Sequence, residues 1–181
     1  MNDDWYNLCI FQNNLKSLKE TSRDVCNDVY ITEDLSPVIS FDDVMKEYLS
    51  SHGCQEEALQ SVDVIARFDE RPFFIEFKNG SLNDKEIKFK IPGKIKDSLL
   101  VFGDITNRAI SFTRENAEFI LVYNLSKNIS KHRDSINEHI FSYAKEEHIR
   151  FGFARYKSVY FKDVHTYSEE EFEKFLKKYV Q

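Results

Sequence analysis

The chain has 181 residues, 41% hydrophobic and 31% charged, with a formal net charge of −6, which is typical of one soluble globular domain. No apolar run approaches the length of about 18 residues that a membrane-spanning helix needs, and the acidic N-terminus lacks the basic and apolar segments of a signal peptide. Three cysteines at unrelated spacings favour reduced thiols over a disulfide scaffold or a zinc site, so we expect a cytoplasmic protein without a membrane partner.

Helical patterns come first along the chain. Apolar residues at helical spacing predict a helix over 5–18, whereas residues 20–39 are polar and mixed and predict a loop or short irregular pieces. A sharper amphipathic helix is predicted over 40–51, with Ser40 as its cap and Gly53 just beyond its end.

A β-hairpin is predicted next. Two strand-like runs, 61–68 and 72–78, flank the short polar connection 69–71. The pair Asn79-Gly80 is a strong turn signal and ends the second strand.

The rest of the chain alternates between helices and strands. A Pro-Gly pair at 92–93 separates it from the hairpin. The predicted elements are a helix at 94–102, a buried central strand at 117–124, a helix at 131–148, strands at 149–154 and 158–164, and a helix whose capping box is Ser168 and Glu171. This order predicts an α/β fold, a mixed β-sheet flanked by helices.

Charged residues of the hairpin form a candidate site. Side chains alternate between the faces of a strand, so Glu76 and Lys78 share one face, and a short turn brings Asp63 opposite or diagonal to Glu76. The other face is apolar and is predicted to pack into the core: Phe73, Ile75 and Phe77.

Two carboxylates and a lysine so placed are suited to phosphodiester hydrolysis. Facing carboxylates repel each other unless a divalent cation lies between them, and carboxylates are ligands that Mg²⁺ prefers. A metal polarises a phosphoryl oxygen and activates water, while a lysine offsets charge in the transition state. The alternatives are an exposed strand aspartate at Asp63 and an ordinary charge pair of Glu76 and Lys78 on a solvated face.

The sequence here resembles the PD-(D/E)XK nuclease superfamily, whose core runs helix, β-meander, helix, strand. Asp63 is followed after twelve residues by Glu76-Phe77-Lys78, and the resemblance covers about residues 40–124.

The resemblance implies one domain over 1–181 with a restriction-endonuclease-like core. Residues 1–39 would be an N-terminal helical or irregular extension, and residues 125–181 a C-terminal elaboration of further helices and strands. Two departures from the pattern are Val62, where the family has Pro, and only a weak place, 54–60, for the strand expected before Asp63.

The same resemblance implies the cofactor and the roles of the residues. Asp63, Glu76 and the backbone carbonyl of Phe77 would bind Mg²⁺ or Mn²⁺, and Lys78 would be the catalytic lysine. Glu47 is the candidate for a further acid on the first core helix.

A lysine-rich stretch follows the hairpin and is the candidate nucleic-acid surface. Residues 1–80 carry 16 acidic and 7 basic side chains, whereas residues 81–181 carry 15 and 18. In the family, lysines at the start of the second helix often contact phosphate, a position held by Lys94 and Lys96. The stretch also includes Lys88 and Lys90. We expect a metal-dependent nuclease acting on DNA in preference to RNA.

A second hypothesis comes from the acidic first half. On this hypothesis the chain is a non-catalytic protein on a nuclease fold, such as an immunity or antitoxin protein that neutralises a basic toxin. Acids that ring the Asp63–Glu76 cleft favour this hypothesis, and acids that lie away from it favour catalysis.

Overall fold

A six-stranded mixed sheet is the framework of the computed structural model, which describes residues 4–83, 85–129 and 149–179. The order across this sheet is β1-β4-β5-β6-β7-β8, and β2 and β3 form a small separate hairpin. Neighbours from β1 to β6 are antiparallel, whereas β6, β7 and β8 run parallel. The strands are β1 (Leu15–Ser17), β2 (Arg23–Asp24), β3 (Val29–Tyr30), β4 (Pro37–Ser40), β5 (Val64–Phe68), β6 (Arg71–Lys78), β7 (Glu118–Tyr123) and β8 (Asp163–Ser168).

Helices flank the sheet on both faces, which confirms the predicted α/β class. A π-helical turn, Glu86–Lys90, leads into α4, and 3₁₀ turns occur at Trp5–Asn7, Glu56–Ala58 and Phe153–Tyr156. The helices are α1 (Cys9–Gln12), α2 (Leu18–Thr21), α3 (Phe41–Ser51), α4 (Ile91–Thr106), α5 (Ile110–Asn116) and α6 (Glu169–Tyr179). Within the described ranges, no helix is both long enough and apolar enough to cross a membrane.

The apolar core has two layers, one on each face of the sheet. On one face, Phe74 packs in a cluster with residues of α3 and α4. On the other face, the side chains of β6 pack against α6, as the alternation predicted: Phe73, Ile75 and Phe77. Every residue of β7 is buried, which confirms the prediction of a central strand with both faces covered.

The predicted hairpin is confirmed as β5 and β6. Its connection is tight, and Asp69 and Glu70 both have positive φ, 47° and 62°. Such a pair matches the right-handed twist of the two strands.

The prediction of one helix over 5–18 is wrong. The segment contains a 3₁₀ turn, α1, β1 and the start of α2. The Asn14 side chain donates to the carbonyl of Ile10, at 2.8 Å, and such local bonds compete with a continuing helix. The following residues pair with β4, Leu15 opposite Ile39, so that tertiary pairing overrides the local pattern.

The helix expected at 94–102 is longer than predicted. It begins at Ile91, because proline is compatible with a first helical turn, and it continues to Thr106. The predicted break at the Pro-Gly pair is therefore wrong.

Towards the C-terminus, the strand at 149–154 is wrong and the strand at 158–164 is displaced to β8. Phe151 and Ser158 have positive φ, 60° and 62°, which is incompatible with extended strands through them. The capping box before α6 is confirmed: the amide of Ser168 donates to Glu171 at 2.7 Å, and the amide of Glu171 to Ser168 Oγ at 3.4 Å. The helix predicted at 131–148 lies outside the described residues.

Candidate functional site

Asp63 and Glu76 face each other where the hairpin leaves the sheet. Val64 pairs with Ile75, so one further step of this register places Asp63 opposite Glu76. The amide of Phe77 donates to Asp63 Oδ2 at 2.6 Å, and the amide of Phe41 donates to the Asp63 carbonyl at 3.0 Å. The carboxylate of Asp63 is therefore fixed by the backbone of β6.

Glu76 is completely buried, with 0% of its surface exposed. A charge pair on a solvated face, the alternative left open by the sequence, therefore does not describe it. Lys78 lies on the same side of β6, with its Nζ 3.4 Å from Glu76 Oε1. The Lys78 ammonium also lies 3.3 Å from Glu86 Oε2 in the π-helical turn, so two carboxylates hold it.

Lys94 lies between the two carboxylates. Its Nζ is 3.1 Å from Asp63 Oδ1, 2.8 Å from Glu76 Oε1 and 2.9 Å from Glu76 Oε2. Lys94 comes from the first turns of α4, which crosses the sheet face that carries Glu76. The resemblance predicted a phosphate contact for this lysine, but the structure places it on the acids.

Burial and neighbouring charges shift the ionisation of this cluster. Burial, reinforced by the charge of Asp63, raises the pKa of Glu76 to about 7, although Lys94 and Lys78 oppose the shift. Burial alone would lower the pKa of Lys94, but the charges of Glu76 and Asp63 outweigh it and raise that pKa, so the lysine stays protonated. The site therefore combines a carboxylate that resists ionisation with an ammonium that resists neutralisation.

The acid that α3 contributes to this region is Asp42. It accepts a hydrogen bond from the Ser61 hydroxyl. Desolvation of its carboxylate, together with the charge of Asp63, raises the pKa of Asp42. Glu47, predicted for this role, is exposed and accepts from Asn14 at 2.7 Å. The two acids are five positions apart, which is about 140° around a helix, so they cannot share a face.

The other lysines of the basic stretch lie outside this cluster. Lys90 pairs with Glu86 at 2.6 Å, and Lys88 is exposed. Lys96 is exposed beside a separate, mostly apolar groove on α4 and α5. Their predicted phosphate contacts stay predictions.

A cleft of about 330 Å³ opens beside the carboxylates. It is polar, and it reaches from α2 and β2 across the end of β6 to the π-helical turn. The charged residues of its lining are Arg23, Asp24, Asp42, Asp63, Lys78 and Glu86.

The residues present fit a small divalent cation with two protein carboxylates. Glu76 Oε1 is buried and accepts no hydrogen bond, although the ammonium groups of Lys94 and Lys78 lie 2.8 Å and 3.4 Å from it. Such an oxygen could bind a metal ion in place of the Lys94 ammonium. No group of three or more His, Cys, Asp or Glu suited to a metal occurs in the part of the chain that the structure describes, so water would complete the coordination of Mg²⁺ or Mn²⁺. The ligand role of the Phe77 carbonyl stays a prediction.

The sequence predicted Asp63, Glu76 and Lys78 at one place, and the structure brings them together. The sequence analysis did not identify Asp42 and Glu86 as part of the site, and it assigned a phosphate contact to Lys94. Glu86 had one visible signal, since Glu86-Ile87-Lys88 repeats the acid-x-lysine triplet, but its approach to Lys78 depends on a π-helical turn that the sequence pattern does not show.

Comparison with protein-family models, curated proteins and solved structures finds no match to this chain. Roles are therefore assigned to its residues from the geometry of the site itself.

Proposed function

We propose that this chain is a metal-dependent nuclease of the PD-(D/E)XK type. The observation that carries the proposal is the convergence of Asp63 and Glu76, one of them completely buried, beside Lys78 on the strand that ends at the cleft. Such a set of groups is suited to holding a divalent cation next to a phosphate.

The connectivity around the site supports the same proposal. The hairpin β5–β6 is followed by α4 and then by β7, which runs parallel to β6. The superfamily core has this order after its first helix. One feature differs: the strand beside β5 is β4, which precedes α3 along the chain instead of following it.

Each side chain has a distinct part in the proposed reaction. Asp63 and Glu76 would hold the cation, which when bound polarises the phosphoryl group and lowers the pKa of a coordinated water. Lys78, held by Glu76 and Glu86 at the edge of the cleft, would offset the negative charge that develops on the phosphate. A nucleic acid is the proposed substrate, with DNA preferred to RNA by the resemblance.

The positions of the N-terminal acids also favour catalysis. Among the described acids of residues 1–80, those that line the cleft besides Asp63 are Asp24 and Asp42. Others are neutralised by basic partners: Asp4 by Arg67, Asp28 by Arg23, Glu33 by Lys19 and Asp43 by Lys16. Most of the acidic excess of residues 1–80 therefore lies outside the lining of the cleft, where it repels a nucleic acid less.

A second candidate is the non-catalytic binding protein, and the position of Lys94 favours it. An ammonium between Asp63 and Glu76 already compensates their charge, as in a structural salt bridge. On this view the acidic surface would bind a basic protein.

A cleavage assay separates the two candidates. Plasmid, linear duplex and single-stranded DNA and RNA are incubated with the protein in Mg²⁺, in Mn²⁺ or in EDTA. The nuclease proposal expects cleavage of at least one substrate that EDTA abolishes. Intact substrates in every condition, together with tight binding to small basic proteins such as toxin nucleases, would replace it by the binding protein.

A further inference from the structure

Lys94 holds the position between the carboxylates that a metal would need. We propose that Lys94 is a built-in counter-ion of Asp63 and Glu76 in the free protein, and that a divalent cation binds only by displacing its ammonium. The inference depends on the metal site of the proposed function and adds a competition between a side chain and the metal.

The distances make the two occupants mutually exclusive. The Lys94 ammonium lies 2.8–3.1 Å from oxygens of both carboxylates. Mg²⁺ binds oxygens at about 2.0–2.1 Å, so it would lie in the same small space between Asp63 and Glu76. Two cations cannot share that space, because each would repel the other at short range.

The free protein needs a cation there. Glu76 is fully buried, and only 17% of the Asp63 side chain is exposed. Without a positive partner, the two facing carboxylates would be desolvated and would repel each other, which is strongly destabilising. Lys94 supplies this charge from within the chain, so the carboxylates are already placed before any metal arrives.

Lys94 also has a way out of the site. Its ammonium ends a flexible four-carbon stem, and 21% of its side chain is exposed. It can therefore turn outward without disturbing the packing of α4. The neighbouring Ile95 side chain, by contrast, is fixed in the core.

The first test uses the wild-type protein. Lysines are acetylated with a small amine-reactive reagent, with and without saturating Mg²⁺ at matched ionic strength, and each site is quantified by mass spectrometry. We expect Mg²⁺ to increase the labelling of Lys94 severalfold and to leave the exposed Lys96 unchanged. Labelling of Lys94 that Mg²⁺ leaves unchanged or reduces would overturn the inference.

The second test removes the competitor. Lys94→Met keeps an unbranched side chain of similar length without the charge, and Lys96→Met, two residues along the same helix, is the control. We expect Lys94→Met to bind Mn²⁺ roughly tenfold or more tightly than wild type by calorimetry, and Lys96→Met to match wild type. Equal or weaker binding by Lys94→Met would contradict the competition. If Lys94→Met does not fold, Lys94→Gln takes its place.

These outcomes are separable from those of the cleavage assay. Cleavage by wild type with no gain of Mn²⁺ affinity in Lys94→Met refutes the counter-ion and keeps the nuclease. A gain of affinity without cleavage by any variant keeps the counter-ion and refutes the nuclease.

Discussion

A completely buried carboxylate is destabilising unless a positive charge lies against it, and Glu76 has two lysines within ion-pair distance. The compensation is incomplete, because the pKa of Glu76 is raised to about 7 by burial and by Asp63. A strongly shifted pKa on a buried residue beside a cleft is typical of functional sites.

The raised pKa makes stability depend on pH. In metal-free protein, the folded state binds the proton of Glu76 more tightly than the unfolded state, whose carboxyl has a pKa near 4.5. The stability that protonated Glu76 provides is complete below that pH and is lost as pH rises through about 7. We expect the free energy of unfolding of wild type, relative to Glu76→Gln, to fall by roughly 1–3 kcal/mol across this window. Urea titrations in EDTA measure it, and a difference that is flat from pH 4 to 9 would contradict the buried, charged placement of Glu76.

The proposed role of Lys78 affects the cleavage rate and not the binding of the metal. Lys78 contacts carboxylates but, as a cation, cannot be a metal ligand. We expect Lys78→Met to lower the cleavage rate by about 10²–10³ and to leave Mn²⁺ affinity within a few-fold of wild type. Single-turnover kinetics and calorimetry give the two quantities, with the exposed Lys162→Met as the control. A variant with full rate, or one that loses the metal, would remove Lys78 from its proposed role.

At the scale of the element, the hairpin and the central strand β7 could be predicted because their signals are local. Alternation in β6, a turn between two strand-like runs and a continuous apolar run each depend on neighbours in sequence. The structure of the segment over 5–18 and the position of strand β8 could not be predicted in this way. The segment contains β1, which exists through pairing with β4, and β8 exists through pairing with β7. Partners distant in sequence decide such elements, and no local pattern shows them.

The hairpin connection offers a test of its backbone. Glu70 has a φ of 62°, which strains a residue with a Cβ atom and suits glycine. We expect Glu70→Gly to raise the free energy of unfolding by about 1 kcal/mol and Tm by about 2–4 °C. Glu70→Ala loses the same contact with Arg67 but keeps the Cβ atom, so it should bring no gain. Equal Tm values for the two variants would mean that the turn is unstrained.

At the scale of the whole molecule, the site joins side chains from three separate regions of the chain. Alternation along the hairpin predicted Asp63, Glu76 and Lys78, which are local to each other. Asp42 on α3 and Lys94 on α4 could not be assigned in this way, because their approach depends on how two helices cross the sheet. The acidic excess of the first half was visible in composition, but which acids line the cleft and which pair with basic side chains elsewhere appears in the structure alone.

The acids that do line the cleft should weaken nucleic-acid binding. Asp42→Asn keeps an acceptor for the Ser61 hydroxyl and removes a charge at the cleft. We expect it to tighten binding of a short DNA duplex by roughly twofold to fivefold at low salt and less at high salt, where charges are screened. Fluorescence anisotropy in EDTA measures the affinity. Glu47→Gln, on another side of the same helix, should have no effect, and equal changes in both variants would mean that the cleft is not where the duplex binds.

The most direct test of the central claim is the single-turnover cleavage rate in Mg²⁺ of wild type and Glu76→Gln, prepared side by side. The exposed Glu57→Gln serves as the control for preparation and contaminants. If the carboxylates beside Lys78 are a nuclease centre, wild type and Glu57→Gln cleave at the same rate, and Glu76→Gln loses about 10²–10³ or more. Cleavage by Glu76→Gln at the wild-type rate would mean that the activity does not reside at this site, and no Mg²⁺-dependent cleavage by wild type would mean that the chain is not a nuclease.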